Sequence, residues 1–337
     1  MASQSGGCAG GGGGEGGVQV LLLTDYRPYI LPPSPTTGVL YFGPRIAVFL
    51  AAGAATAEVG DTVGAMPRVL AALESLFACF EDITGFTPPL THAFRGRLLC
   101  EVDHLPSAAG LAHHGRAGFA VGPAFLRESL ASFGGPAPFL HHVFGYEMFR
   151  NFIVPEVFTP PFKHCTETES SWGWLNQGFV NIMGCLALSE GTCGAGFSYF
   201  GHSSAAFRAG MEAQLLVYAL RLHGVGGAPR LGWRDVFLCE RLPWAPGTSL
   251  DNLYSGLLSA LFRAHGGRAF LRGFFRALPI LNARCPAGVR DFHTAAENLY
   301  LASCAGAGAD VWPLFEALGW PPRREPCCAA VGAMLCA

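Results

Sequence analysis

Charge is scarce, and lysine nearly absent. Lys163 is the only lysine, charged residues make up 14% of the 337, and the formal net charge is -2. Binding a phosphate backbone needs clustered Lys and Arg, so a nucleic-acid partner is excluded on electrostatic grounds. The remaining cations are arginines in a chain rich in Ala, Gly and Pro. That bias reads as a GC-rich genome, not a phosphate-binding choice. No C-x-x-C pair occurs among the 12 cysteines. His164-Cys165 and Cys327-Cys328 lack zinc-finger spacing, so buried reduced thiols are the expectation in a chain large enough to build its own core. The start, MASQSGGCAGGGGGEGG, carries neither a basic nor an apolar targeting region. It is expected to be disordered over residues 1–17, and the chain is read as cytoplasmic by default. Pro44, Arg45 and several glycines interrupt the apolar stretch Val39 to Ala57. No membrane span is expected there. No internal repeat or phosphate loop is present.

Half the residues are hydrophobic and 12% are aromatic, enough for one large domain or two subdomains. Val18 to Thr24 has strand length, and a second strand is expected from Arg45 to Ala51. After Pro67, Val69, Leu70, Leu73, Leu76, Phe77 and Phe80 recur at helical spacing until Gly85. They predict an amphipathic helix. Arg97 to Val102 and Ala117 to Val121 read as strands around a loop holding His104, His113 and His114. A long helix is predicted from Pro136 through Ile153, stopped by Pro155. Beyond it come helices over Trp172–Leu188, Ser204–His223, Ser249–His265, Ala269–Leu278, Asp291–Ser303 and Asp310–Leu318, with no clear strand. The expected class is α+β: an N-terminal mixed sheet with two helices over 18–155, a mainly helical subdomain over 156–323, and tails at 1–17 and 324–337.

The informative segment is FLHHVFGYEMFRNF, Phe139 to Phe152. Tyr146, Glu147, Arg150, Asn151 and Phe152 fall in the register of an H-E-x-x-H-N-F string. The C-terminal strings HGGRAFLRGFFRALP, TAAENLYLAS and DVWPLFEALGWP accompany it. Together with the element order, this resembles zincin metallopeptidases of the gluzincin and enhancin-like group, over residues 18 to 323. In that family two His at i and i+4 hold zinc, and the Glu between them activates the metal-bound water. The resemblance implies a zincin-like scaffold with Glu147 as the retained base and Tyr146 and Arg150 at the two ligand positions. Arginine stays protonated and offers no lone pair. The third ligand would be a Glu on the segment from Trp172. That segment has none, only Asn176 and Gln177, and Glu167, Glu169 and Glu190 lie outside it. The expectation is therefore a metallopeptidase-like protein that is not a working zinc peptidase. No cofactor is expected, and a cleft between the halves binds a peptide or glycoprotein. An alternative zinc site would have to be built from His141, His142, His113 and His114, with His164 near, although neighbours on a helix point about 100° apart.

Other readings stand beside this one. Glu147 and Arg150 make an ordinary i,i+3 ion pair on a helix whose Phe144, Met148, Phe149 and Phe152 face the core. Gly201-His202-Ser203-Ser204-Ala205 resembles a nucleophile elbow, with Ser203 as nucleophile and Asp251/His265 or Asp291/His293 in chain order. Ser203 or Ser204 is equally the N-cap of the following helix. A His164-Cys165 nucleophile lacks a third group. A noncatalytic interaction protein would use Trp172, Trp174, Trp244, Trp312 and Trp320 for packing.

Overall fold

The structure is a computed structural model, and it describes residues 18–28, 30, 36–90, 94–104, 109–112, 118–153, 172–189, 193–225, 250–283 and 292–320. The expected tails at 1–17 and 324–337, with His113, His114, His164, Cys165 and Asp291, lie outside the described residues.

The class is α+β. Strands β1 (Gln19–Tyr26), β2 (Thr36–Phe42), β3 (Ile46–Ala51), β4 (Leu98–Val102), β5 (Gly110–Ala112) and β6 (Phe119–Val121) form one mixed sheet in the order β1-β2-β3-β4-β6-β5. β3, β4 and β6 run parallel in its middle, and antiparallel neighbours flank them. Every residue of β3 and β4 is buried, as parallel strands covered on both faces require. Between them α1 (Ala54–Val59), a 3-10 turn (Gly60–Ala65) and α2 (Met66–Thr84) make the crossover. All six apolar positions that predicted α2 are at most 1% exposed. The stretch Ala55–Thr84 is long and apolar enough to cross a membrane by length and composition alone, but 56% of its 18-residue apolar portion is buried inside the protein.

One carboxylate sits inside this sheet. Glu101 on β4 is 1% exposed, and it accepts from the Tyr26 hydroxyl at 2.7 Å and the Ile30 amide at 3.1 Å. Both hydrogen bonds tie the end of β1 to the centre of the sheet, and they offset the desolvation of the acid. Burial, then the Glu101 charge, pushes the Tyr26 hydroxyl above its ordinary pKa.

The long helix expected from Pro136 is instead a short strand followed by a shorter helix. α3 (Pro123–Ser132) ends before it, β7 (Phe139–His141) follows, and α4 (His142–Arg150) comes last. The strand forms because both of its edges are satisfied. β7 pairs in parallel with β8 (Gly196–Tyr199) on one side. On the other, Ser132 Oγ bonds both the amide and the carbonyl of Phe139 at 3.0 Å, and Ser129 Oγ accepts from the His141 amide at 3.0 Å. A helix there would forfeit those partners, so tertiary pairing overrides the apolar period. β8 and β9 (His202–Ser203) are a hairpin in a region expected to be mainly helical, between two of its predicted helices.

The chain divides into two compact units. One holds residues 1–79, 87–152 and 188–203, and the other 80–86, 153–187 and 204–337. The boundary after Phe152 lies near the expected one at 155, but the β8–β9 hairpin returns to the first unit. The second unit contains α5 (Trp172–Ser189), α6 (Ser204–Leu222) and helices at Leu250–Ala264, Arg268–Asn282, Phe292–Ala307 and Trp312–Ala317. Phe179, Tyr254 and Phe274 are fully buried in it, with the Phe179 and Tyr254 rings stacked at 5.7 Å. The last two long helices cross closely at Gly273 and Gly306. A Cβ on Gly273 would lie 2.7 Å from the Ala305 carbonyl oxygen.

Candidate functional site

α4 carries the candidate residues and is held at both ends. His141 is its N-cap, with Nδ1 accepting from the Val143 amide at 3.4 Å. That bond places the ring proton on Nε2. Nε2 is buried without a hydrogen-bond partner, 3.9 Å from Glu128 Oε2. At the other end, Asn151 Oδ1 accepts from the Gly118 amide at 2.8 Å, and its Nδ2 donates to the Glu147 carbonyl at 3.0 Å. Phe152 is fully buried against Phe77, ring centres 5.3 Å apart. Asn151 and Phe152, two residues shared with the family string, thus have complete structural explanations.

Glu147 has no such explanation. It is 3% exposed, and it faces β5, the edge strand of the large sheet. A Cβ on Gly110 would lie 2.7 Å from both Glu147 Cγ and Val143 Cγ2, so only glycine lets the strand come this close to the helix. The carboxylate meets Arg150 Nη1 at 3.3 Å, and the Arg150 guanidinium lies 5.8 Å from the Tyr146 ring centre. Burial pushes the Glu147 carboxyl up to about 7, and Arg150 only partly opposes this. Arg150 is a quarter exposed, and its Nε is buried without a partner. Tyr146 and Arg150 are thus one turn apart beside the acid.

These residues do not suit zinc. A permanent cation stands where the family has its second imidazole, and it occupies the acid that would act on bound water. Among the described residues, no three of His, Cys, Asp and Glu come together in a way that could hold a metal ion. His141 and His142 end in an aromatic cluster instead. His141 packs on Phe125 at 4.5 Å, His142 on Tyr199 at 4.4 Å, and Phe200 lies over both at 5.4 and 5.5 Å. Burial lowers the His141 pKa to about 4; burial, and then His141, lowers that of His142 to about 3. This cluster was invisible in the sequence except for the adjacent pair of histidines, since Phe125 and Tyr199 are far away in the chain.

Ser203 lies exposed on β9, immediately before α6. The positive backbone angles belong to Phe200 (φ 45°) and Gly201 (φ 83°), the two turn residues of the β8–β9 hairpin. A nucleophile elbow strains the nucleophile itself, and here the strained residues precede it. His265 follows the helix at Leu250–Ala264 and packs on Phe270 at 6.4 Å, while His293 lies on the helix at Phe292–Ala307. Asn176 and Gln177 fall on α5, with Gln177 exposed.

No family model matches the chain, and no curated protein does. Its fold is similar to two crystal structures from Bacillus anthracis str. Ames: a functionally unknown conserved protein and a mutant form of a protein so described. Each has a TM-score of 0.50, at 11% and 10% identity, over 86% of this chain and 50% of the other. The chain therefore spans half the length of those proteins, and the likeness concerns fold alone.

Proposed function

We propose that this chain is a metallopeptidase-like protein that does not act as a zinc peptidase and instead binds an extended peptide or a glycoprotein segment beside β5. The observation that carries the reading is the position of Glu147: buried on α4, against an edge strand, and neutralised by Arg150 at 3.3 Å. In H-E-x-x-H sites the positive charge beside the acid comes from the metal; here it belongs to the chain. Arg150 holds the acid in place, and the exposed quarter of its side chain offers guanidinium N–H groups to a ligand carbonyl or carboxylate. Among the described strands β5 pairs with β6 alone, so its outer backbone groups can take an added strand.

The test combines metal analysis of the purified protein with binding of a labelled dodecapeptide library, read by fluorescence anisotropy and by mass spectrometry for cleavage. Zinc well below one per chain, binding without cleavage, and at least tenfold weaker binding in Arg150→Ala are expected, a loss of about 1.4 kcal/mol or more. Stoichiometric zinc or cleaved peptide would overturn the noncatalytic reading. Binding indifferent to Arg150→Ala would remove the site.

A further inference from the structure

At the opposite border of the large sheet, no described strand lies on the outer edge of β1. It is terminal in the strand order, and its only strand partner among the described residues is β2, in antiparallel register with Val20 opposite Tyr41, Leu21 opposite Leu40 and Leu22 opposite Val39. An open edge is a template for another strand, and soluble proteins usually guard it with lysine, proline, an inward charge or a bulge. From Gln19 to Thr24 this strand has no charge and no proline. Its irregularity comes only at the far end, where the register slips between Leu23 and Tyr26 and Asp25 takes φ 59°. Five residues, Gln19 to Leu23, therefore present a regular, uncharged edge.

The side chains along that edge are also uncovered. Val20 is 60% exposed and Leu22 68%. Being two residues apart, they share one face of the sheet, and the register with β2 places Tyr41 and Val39 beside them on it. The opposite face of β1 holds Leu21 and Leu23, both only half-buried.

The order of residues indicates what covers the edge. Val20 and Leu22, the exposed apolar residues of the strand, flank Leu21 one on each side, so their pattern about Leu21 is the same read in either direction. Antiparallel pairing of two copies about a twofold axis at Leu21 sets Leu21 against Leu21, and Val20 of each copy against Leu22 of the other. Gln19 then meets Leu23, and Val18 meets Thr24. All four exposed Val20 and Leu22 side chains cover one another on a single face, as an isologous interface demands. A slip of one residue would put Val20 and Leu22 on opposite faces from their partners and lose this match.

We propose that β1 is the self-pairing edge of a homodimer, joining two six-stranded sheets into one continuous sheet through Gln19–Thr24. The interface concerns only the border of the sheet at β1 and is independent of any role for Glu147.

Light scattering coupled to size exclusion reads the mass of the full chain across a concentration series. The expected result is twice 35.6 kDa for the wild type, and 35.6 kDa for Val20→Lys/Leu22→Lys, whose substitutions are at exposed positions and leave the fold intact by circular dichroism. Leu216→Lys, at an exposed apolar position of α6, should remain dimeric. A wild type that is monomeric at its highest soluble concentration overturns the proposal, and so does a dimer that survives Val20→Lys/Leu22→Lys. The register has its own test: facing Cα atoms in antiparallel strands are about 4.5–5.5 Å apart, within disulfide range. Mild oxidation should therefore cross-link Leu21→Cys into a dimer on a nonreducing gel, beyond any wild-type background, and should not cross-link Thr24→Cys. Cross-linking of Thr24→Cys in preference to Leu21→Cys would overturn the twofold register.

Discussion

Glu147 is the residue whose placement costs the fold most visibly. Its carboxyl is raised from 4.5 to about 7, with burial the largest cause. A carboxyl raised on folding makes the folded state bind the extra proton between those two values. Its contribution is therefore present below about pH 4.5 and lost as pH rises towards 7. Full ionisation costs on the order of 3 kcal/mol from a shift of this size, at 1.36 kcal/mol per pH unit. Glu147→Gln removes that penalty while keeping shape and hydrogen-bonding capacity. The expected outcome is a melting temperature that gains relative to wild type at pH 8 and gains little at pH 5. Equal changes at both pH values would show that Glu147 is ionised throughout in the folded protein.

At the scale of the element, α4 carries two side chains at the spacing of a two-ligand helix. Residues 146 and 150 are one turn apart with Glu147 between them, which is the i,i+4 spacing that lets two imidazoles share one ion. Tyr146→His/Arg150→His should therefore acquire zinc that the wild type does not bind, measured by titration against a chromogenic chelator. The affinity should stay below that of a three-ligand site, because α5 supplies no Glu. Equal zinc uptake by wild type and variant would refute the assignment of these two positions. The same helix depends on Gly110, since a side chain there would collide with both Glu147 and Val143.

At the scale of the whole molecule, the adjacent histidines His141 and His142 contribute a loss of stability in acid. His141 and His142 are lowered to about 4 and about 3, chiefly by burial, whereas an unfolded histidine titrates near 6.5. The unfolded chain takes up these protons first. Stability from the pair is thus complete above about pH 6.5 and is lost as pH falls towards 4. Protonation at Nδ1 would also end the N-cap bond to Val143, and the positive charge would face a helix N-terminus. His141→Asn keeps an N-cap acceptor and removes one titrating group. Denaturant midpoints from pH 7.5 to 4.5 should decline less steeply in this variant than in wild type. An unchanged slope would place the acid sensitivity elsewhere.

Much of the architecture was legible in advance. α2 and the helices of the second unit declare themselves by apolar residues three and four apart, and β1, β3, β4 and β6 by short apolar runs, because these periods follow from backbone geometry alone. The register of Tyr146, Glu147 and Arg150 on one helix was equally a matter of local spacing. Only the tertiary structure decided that Phe139–His141 is a strand, since its hydrogen-bond partners come from Ser129, Ser132 and β8. It alone set the adjacent histidines in an aromatic cluster, closed Gly110 onto Glu147, and made the start of the predicted long helix a strand. Those outcomes rest on contacts between residues far apart in the chain, and burial, which sets the proton affinity of Glu147, is a property that no local period encodes.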